Sequence, residues 1–166
     1  MPDAVLRVEL TREDGDVPRD RVRFLLRVNR GMPEAPLADA ASGGELSRVL
    51  LALHGLSAAG GDATWVFDEV DAGVGGVTAS AVATRLATLG RRVQTVVITH
   101  LPQVAALADA HFALRKSAGE EEMAVTTITA VQGEDLVREV VRMLGAGEGD
   151  EGAERHAREL LARRGG

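Results

Sequence analysis

Three carboxylates, Asp68, Glu69 and Asp71, close an apolar run that begins at Thr64. A buried strand ending this way delivers acidic groups to a sheet edge, where ligands of open α/β sheets sit. Neighbours on an extended chain point to opposite sides, so Asp68 and Glu69 suit different tasks. A carboxylate at a strand end can hold Mg2+ through water beside a phosphate. The adjacent carboxylate can orient or activate an attacking water. Upstream lies Ser42-Gly43-Gly44-Glu45-Leu46-Ser47-Arg48. Its Ser-x-x-Glu spacing is a capping box: Ser42 bonds the amide of Glu45, and Glu45 returns to the amide of Ser42. Glycines in a helical first turn cost about 1 kcal/mol each against alanine, so capping alone does not explain Gly43 and Gly44. Bare amides, a hydroxyl and the positive end of a helix dipole together suit a phosphate. Downstream, His100 follows a second apolar run, residues 93–98, where it would face the same crevice and hydrogen-bond a phosphate. The bland readings are a plain helix cap, a solvated acidic turn and a core or surface histidine.

The elements that must position these groups follow from periodicity. Residues 4–10 and 21–29 alternate as strands, the second with Val22, Phe24, Leu26 and Val28 on one face and Arg21, Arg23, Arg27 and Asn29 on the other. The stretch 14–20 reads as a turn, and residues 31–41, with Pro33 and Pro36, as irregular. A helix is predicted over residues 43–58, with Leu46, Val49, Leu50 and Leu53 as its apolar stripe and Gly60-Gly61 as its stop. A strand over 63–67 precedes the acidic cluster, and Gly73, Gly75 and Gly76 make the turn after it. Residues 77–89 are helical by spacing, through Val82, Leu86 and Leu89. The continuous apolar run 93–98 is the mark of a strand covered on both faces. A short helix over 101–108, strands over 112–115 and 123–131 around the acidic turn 119–122, and a helix over 134–144 follow. Residues 145–152 read as a flexible linker and 153–163 as a polar final helix. Strand, helix, strand and helix in the middle imply a parallel sheet with right-handed crossovers, flanked by antiparallel strands. The expected fold is an α/β domain with a mixed sheet.

The 166 residues are enough for one domain with a real core. Aromatics are only 2% of it, so that core is aliphatic. Without cysteine there is no disulfide framework and no thiolate metal site. The four histidines show no metal-ligand spacing, and no apolar run approaches a membrane span of about 20 residues. A soluble intracellular protein is expected. The formal net charge of −6 speaks against a generally sticky nucleic-acid surface, though a local basic strip is compatible with it.

Taken in order, these pieces resemble a known set. Ser42 to Arg48 is similar to the signature motif of ABC-type ATPases, and Trp65-Val66-Phe67-Asp68-Glu69 to a Walker B strand. Val70-Asp71-Ala72-Gly73 is similar to a D-loop, and Thr99-His100 to a histidine switch. The wording Phe-Asp-Glu-Val-Asp-Ala-Gly-Val-Gly-Gly and Thr-His-Leu-Pro-Gln-Val-Ala resembles the bacterial RecN family of SMC-like DNA double-strand break repair proteins, over about residues 20–145. The resemblance implies a P-loop-NTPase-like parallel core and roles for matching residues. Asp68 would bind Mg2+, and Glu69 would be the general base. Ser42, Gly43, Gly44 and Glu45 would meet ATP held by another head. Asp71 would sit at the head–head interface, and His100 would sense the γ-phosphate. It also implies DNA as a partner, a homodimer of heads, no membrane, and a cytoplasmic, nucleoid-associated location.

An ABC-type site also needs a P-loop lysine. The only lysine, Lys116, follows Leu114-Arg115 in a predicted strand, so this chain holds no Walker A motif. Residues 1–145 are therefore expected to be the C-terminal lobe of a head and 146–166 a linker and helix. In this family the P-loop belongs to an N-terminal lobe, and the chain alone is expected to be inactive without it. Two alternatives stay open: a self-contained metal-dependent phosphoester hydrolase using Asp68, Glu69, Asp71 and His100, and a non-catalytic scaffold in which ATP drives docking only.

Overall fold

The computed structural model describes residues 3–13, 19–40, 42–56, 63–117, 125–147 and 149–164. Most of the expected turn 14–20, the Gly60-Gly61 stop and the acidic turn 119–122 lie outside them. The chain opens with strands β1 (Val5–Glu13) and β2 (Arg19–Arg27), paired antiparallel with Val8 opposite Phe24. A two-residue strand, β3 (Ala35–Pro36), adds to β2, and α1 (Leu37–Ala40) follows. Helix α2 (Gly43–Leu56) leads to strand β4 (Thr64–Phe67) and helix α3 (Gly76–Gly90). Strand β5 (Gln94–Val97) lies parallel to β4, with Phe67 opposite Val97. Next come α4 (Pro102–Ala105), the antiparallel pair β6 (His111–Ser117) and β7 (Val125–Val131), then α5 (Glu134–Met143) and α6 (Glu151–Ala162). This is α/β architecture with the expected mix of parallel and antiparallel strands, carried by three separate ladders.

One core joins Phe67 and Val70 to Val82, Leu86 and Leu89 of α3, Val93, Val104 and Leu51 of α2. A second packs Leu136, Val140 and Val141 of α5 against Ala106 and against Ala157 and Leu160 of α6. The polar final helix is thus docked through two small patches of its surface. Its start is capped by Asp150, whose side chain accepts from the amide of Ala153 at 3.0 Å. Arg158 reaches back to Glu134 with two hydrogen bonds of 3.0 and 2.7 Å.

Two expectations change. Of the expected α2 stripe, Val49 is buried and Leu46 and Leu53 are half-buried, but Leu50 is 41% exposed and Leu51 turns inward as well. Residues 44, 48 and 51 share that inner face at i, i+4 and i+7, and two of them are glycine and arginine. Nor is β5 covered on both faces. Val96 and Ile98 are 46% and 54% exposed, beside Val66 at 65%. The apolar run packs on α3 with one side and leaves the other uncovered. The same holds for Val8, Leu10, Val22 and Phe24 of the first hairpin and for Phe112, Leu114 and Ile128 of the last.

Glu139 is buried to 3% and tied to three groups from two elements. Its carboxylate accepts from Arg142 Nε and Nη2 at 2.9 and 2.6 Å and from Arg115 Nη2 at 3.0 Å. The hydrogen bonds from Arg142 hold its carboxyl below the ordinary 4.5, against the opposing effect of burial. Nearby His111 is pushed below its ordinary 6.5 by burial, with Glu139 pulling the other way. Both depressed values act with one sign. The unfolded chain takes up protons first as pH falls, so stability present at neutral pH is lost in acid. Loss is expected in two stages, the first below the ordinary histidine value and the second as Glu139 protonates. Thermal midpoints measured against pH check this: His111→Gln should flatten the upper stage, and Glu139→Gln the lower.

Candidate functional site

Parallel pairing brings the carboxyl ends of β4 and β5 to one edge, where the amide of Ile98 donates to the carbonyl of Phe67 at 2.9 Å. Asp68 and Glu69 leave the first strand there, and Thr99 and His100 leave the second. The chain turns sharply at Glu69, whose φ of 56° is left-handed; no other non-glycine among the described residues has a positive φ. That conformation costs about 1–3 kcal/mol and persists only when its surroundings hold it. The turn is closed by the amide of Ala72 on the carbonyl of Glu69 at 3.0 Å and the amide of Val74 on that of Asp71 at 3.1 Å. Val70, fully buried, pins the turn to the core.

The start of α2 lies directly against this turn. A Cβ on Gly44 would come within 2.7 Å of the Glu69 carbonyl and 2.8 Å of the Ala72 Cβ. One on Gly43 would meet the Glu69 carboxylate at 2.9 Å. Gly44 is therefore needed for close approach to the turn's backbone, which a plain cap does not require, while the contact at Gly43 is with the movable end of the Glu69 side chain. The capping box forms as well: the Ser42 amide and hydroxyl donate to Glu45 Oε2 at 2.9 and 3.1 Å, and the Glu45 amide donates to the Ser42 hydroxyl at 3.4 Å. Further along the helix, the Ser47 hydroxyl donates to the Asp68 carbonyl at 3.0 Å. Arg48 Nη1 donates to the carbonyls of Val70 and Ala72 at 3.3 and 2.8 Å. Sequence reasoning gave Ser47 and Arg48 no role. The signal that marks them is Gly44 four residues before Arg48, one face of the helix.

Asp71 is 3% exposed. Its Oδ2 accepts from the Thr99 hydroxyl at 2.5 Å and the His100 amide at 2.9 Å, and lies 3.2 Å from His100 Nδ1. The Thr99 oxygen in turn accepts from the Leu101 amide at 3.0 Å. Within this chain the Asp71 carboxylate turns inward, toward the residues that follow β5. The His100 ring stays 74% exposed, with Nδ1 toward the carboxylate and Nε2 directed away from it.

Asp68, Glu69, Asp71 and His100 share one edge, where Asp71 and His100 meet. Among the described residues, no three acidic or histidine side chains are placed to hold a metal ion. Asp68 is exposed and without a side-chain partner among the described residues, a single carboxylate. One carboxylate fits Mg2+, which keeps several waters and takes further ligands from substrate phosphates.

The arginine strip of β2 is answered by acids on β1. Arg21 pairs with Glu13 at 3.0 Å and Arg23 with Glu9 at 3.6 Å. Both of these ion pairs are solvent-exposed, and Arg27 on the same face has its Nε buried without a hydrogen-bond partner. No helix among the described residues is long and apolar enough to cross a membrane.

No protein-family model matches the sequence. Among curated proteins, the DNA repair protein RecN of Mycobacterium leprae is 52% identical over 146 residues, 86% of this chain and 24% of its own length. RecN of Streptomyces coelicolor is 48% identical over 144 residues, and that of Treponema pallidum 48% over 143. This chain belongs to the RecN family. It spans about a quarter of the length of the RecN relatives it matches. A solved structure, described as the structural biochemistry of ATP-driven dimerization and DNA-stimulated activation of SMC ATPases, superposes with a TM-score of 0.47 at 20% identity, over 78% of this chain and 76% of the other.

Proposed function

We propose that this chain is the C-terminal lobe of an SMC-like, ABC-type ATPase head that serves DNA double-strand break repair and recombination, and that it works only with a P-loop lobe. The observation that carries the reading is the packing of α2 onto the 68–72 turn. It joins Ser42–Arg48, Asp68–Asp71 and, through Asp71, Thr99–His100 into one constellation. The apolar faces left open on β4–β5 and on both hairpins suit coverage by a second lobe, since contiguous exposed apolar surface marks an interaction site.

Each residue then has a task. Bound Mg2+ would neutralise phosphate charge, and Asp68 is the carboxylate placed to hold it. Glu69 takes the proton of the attacking water. His100 directs Nε2 at the γ-phosphate while Asp71 holds the opposite side of the ring. Ser42, Gly43, Gly44 and Glu45 form the surface that meets ATP on a second head. They do so while packed against Glu69 of their own chain, so one helix serves the opposing nucleotide and touches the local base. DNA is the partner of the assembled heads, in a cytoplasmic, nucleoid-associated protein.

The test is reconstitution. The chain alone is expected to show no ATP turnover, and addition of a P-loop lobe from the same family should produce it. Turnover by the isolated chain that Glu69→Gln abolishes would overturn the shared-site reading. Failure of the joined lobes to bind ATP would overturn the head reading itself.

A further inference from the structure

We infer that Ser47 and Arg48 are positioning residues for hydrolysis, holding the carbonyl edge of the 68–72 turn and so fixing where the Glu69 carboxylate points. The inference rests on Glu69 being the general base. Glu69 sits in left-handed backbone, a conformation that relaxes unless neighbours enforce it. Beside the turn's own hydrogen bonds and the buried Val70, enforcing contacts come from α2. Ser47 takes the carbonyl just before Glu69, and Arg48 takes those of Val70 and Ala72 beyond it. The Arg48 guanidinium forms no ion pair with a carboxylate among the described residues; its hydrogen bonds go to the backbone carbonyls of Val70 and Ala72. Hydrogen bonds from a charged donor are the strong kind, and two from one nitrogen fix the spacing of both carbonyls. Gly44, one helical turn earlier, lets the helix approach closely enough for them to form. The Ser42–Glu45 cap lies on the same rigid helix, so the surface offered to one nucleotide and the aim of the base for another are set by one element.

The experiment uses the complete head with its P-loop lobe. Arg48→Ala is expected to lower kcat by about 10–100-fold, the scale of a misplaced catalytic group, with the KM for ATP changed less than about twofold. Arg48→Lys should recover part of the loss. Ser47→Ala should lower kcat by about 3–10-fold and Ser47→Thr should restore it, since the hydroxyl is kept. In a Glu69→Gln background, Arg48→Ala should have no further effect on kcat, because a positioning residue has nothing left to aim. Wild-type kcat in Arg48→Ala and Ser47→Ala overturns the inference. So does a loss of equal size with and without Glu69, which marks a structural role only. If Arg48→Ala does not fold, the Ser47→Ala and Ser47→Thr pair decides. Glu69→Gln turning over like wild type is a different failure, that of the base assignment.

Discussion

Glu69→Gln in the complete head is expected to lower ATP turnover by about 10²–10⁴-fold, the range that a positioned general base contributes. The amide keeps the size of the carboxylate and one acceptor oxygen, replaces the other with a donor, and cannot take a proton from water. Its packing against Gly43 is unaltered in shape, so the backbone turn should survive the change. ATP binding should therefore persist. A nucleotide that is held but not cleaved should lengthen the life of the head dimer, read by dissociation of labelled heads at saturating ATP. Rapid dissociation there, or turnover near wild type, would count against Glu69 as the base. Asp68→Asn gives a contrasting signature. It should weaken the dependence of turnover on Mg2+ concentration, whereas Glu69→Gln should leave that dependence in place and remove the chemical step.

Helices α3 and α5 were legible because their inward residues are apolar and recur at helical spacing, Val82, Leu86 and Leu89 in one and Leu136 and Val140 in the other. In α2 the apolar spacing found the buried Val49 but not the face that meets the 68–72 turn. Periodicity counts apolar side chains, while that face sets Leu51 beside Gly44, which permits close approach, and Arg48, which supplies donors. The apolar run at β5 led to the expectation of cover on both faces, but apolar content alone does not say which side is packed, and Val96 and Ile98 are exposed. The three pieces of the site were legible as residue types in order. Their joining was not, since nothing in a Glu codon announces a left-handed backbone. Two residues beyond that left-handed turn, the buried Asp71 links the ends of β4 and β5.

Asp71→Ala should therefore destabilise the head as well as impair it. The carboxylate is buried and accepts from the Thr99 hydroxyl and the His100 amide. Deleting it strands those donors, and each buried orphan costs about 1–3 kcal/mol. A total of about 2–4 kcal/mol is expected, which for a chain of this length moves the thermal midpoint by about 2–4 °C per kcal/mol. Asp71→Asn keeps an acceptor of the same shape and loses only the charge, so its cost should be about 1 kcal/mol. Hydrogen exchange gives the local reading. The His100 amide, bonded to Asp71 in the parent, should exchange faster in Asp71→Ala, while amides of α5 in the second core should not. Activity should fall with it, because the His100 ring loses the group that holds Nδ1 and is free to rotate. An unchanged thermal midpoint together with an unchanged His100 amide would show that Asp71 does not join the strand ends. The constellation would then depend on α2 alone, and the Ser42–Arg48 helix would have no route to His100.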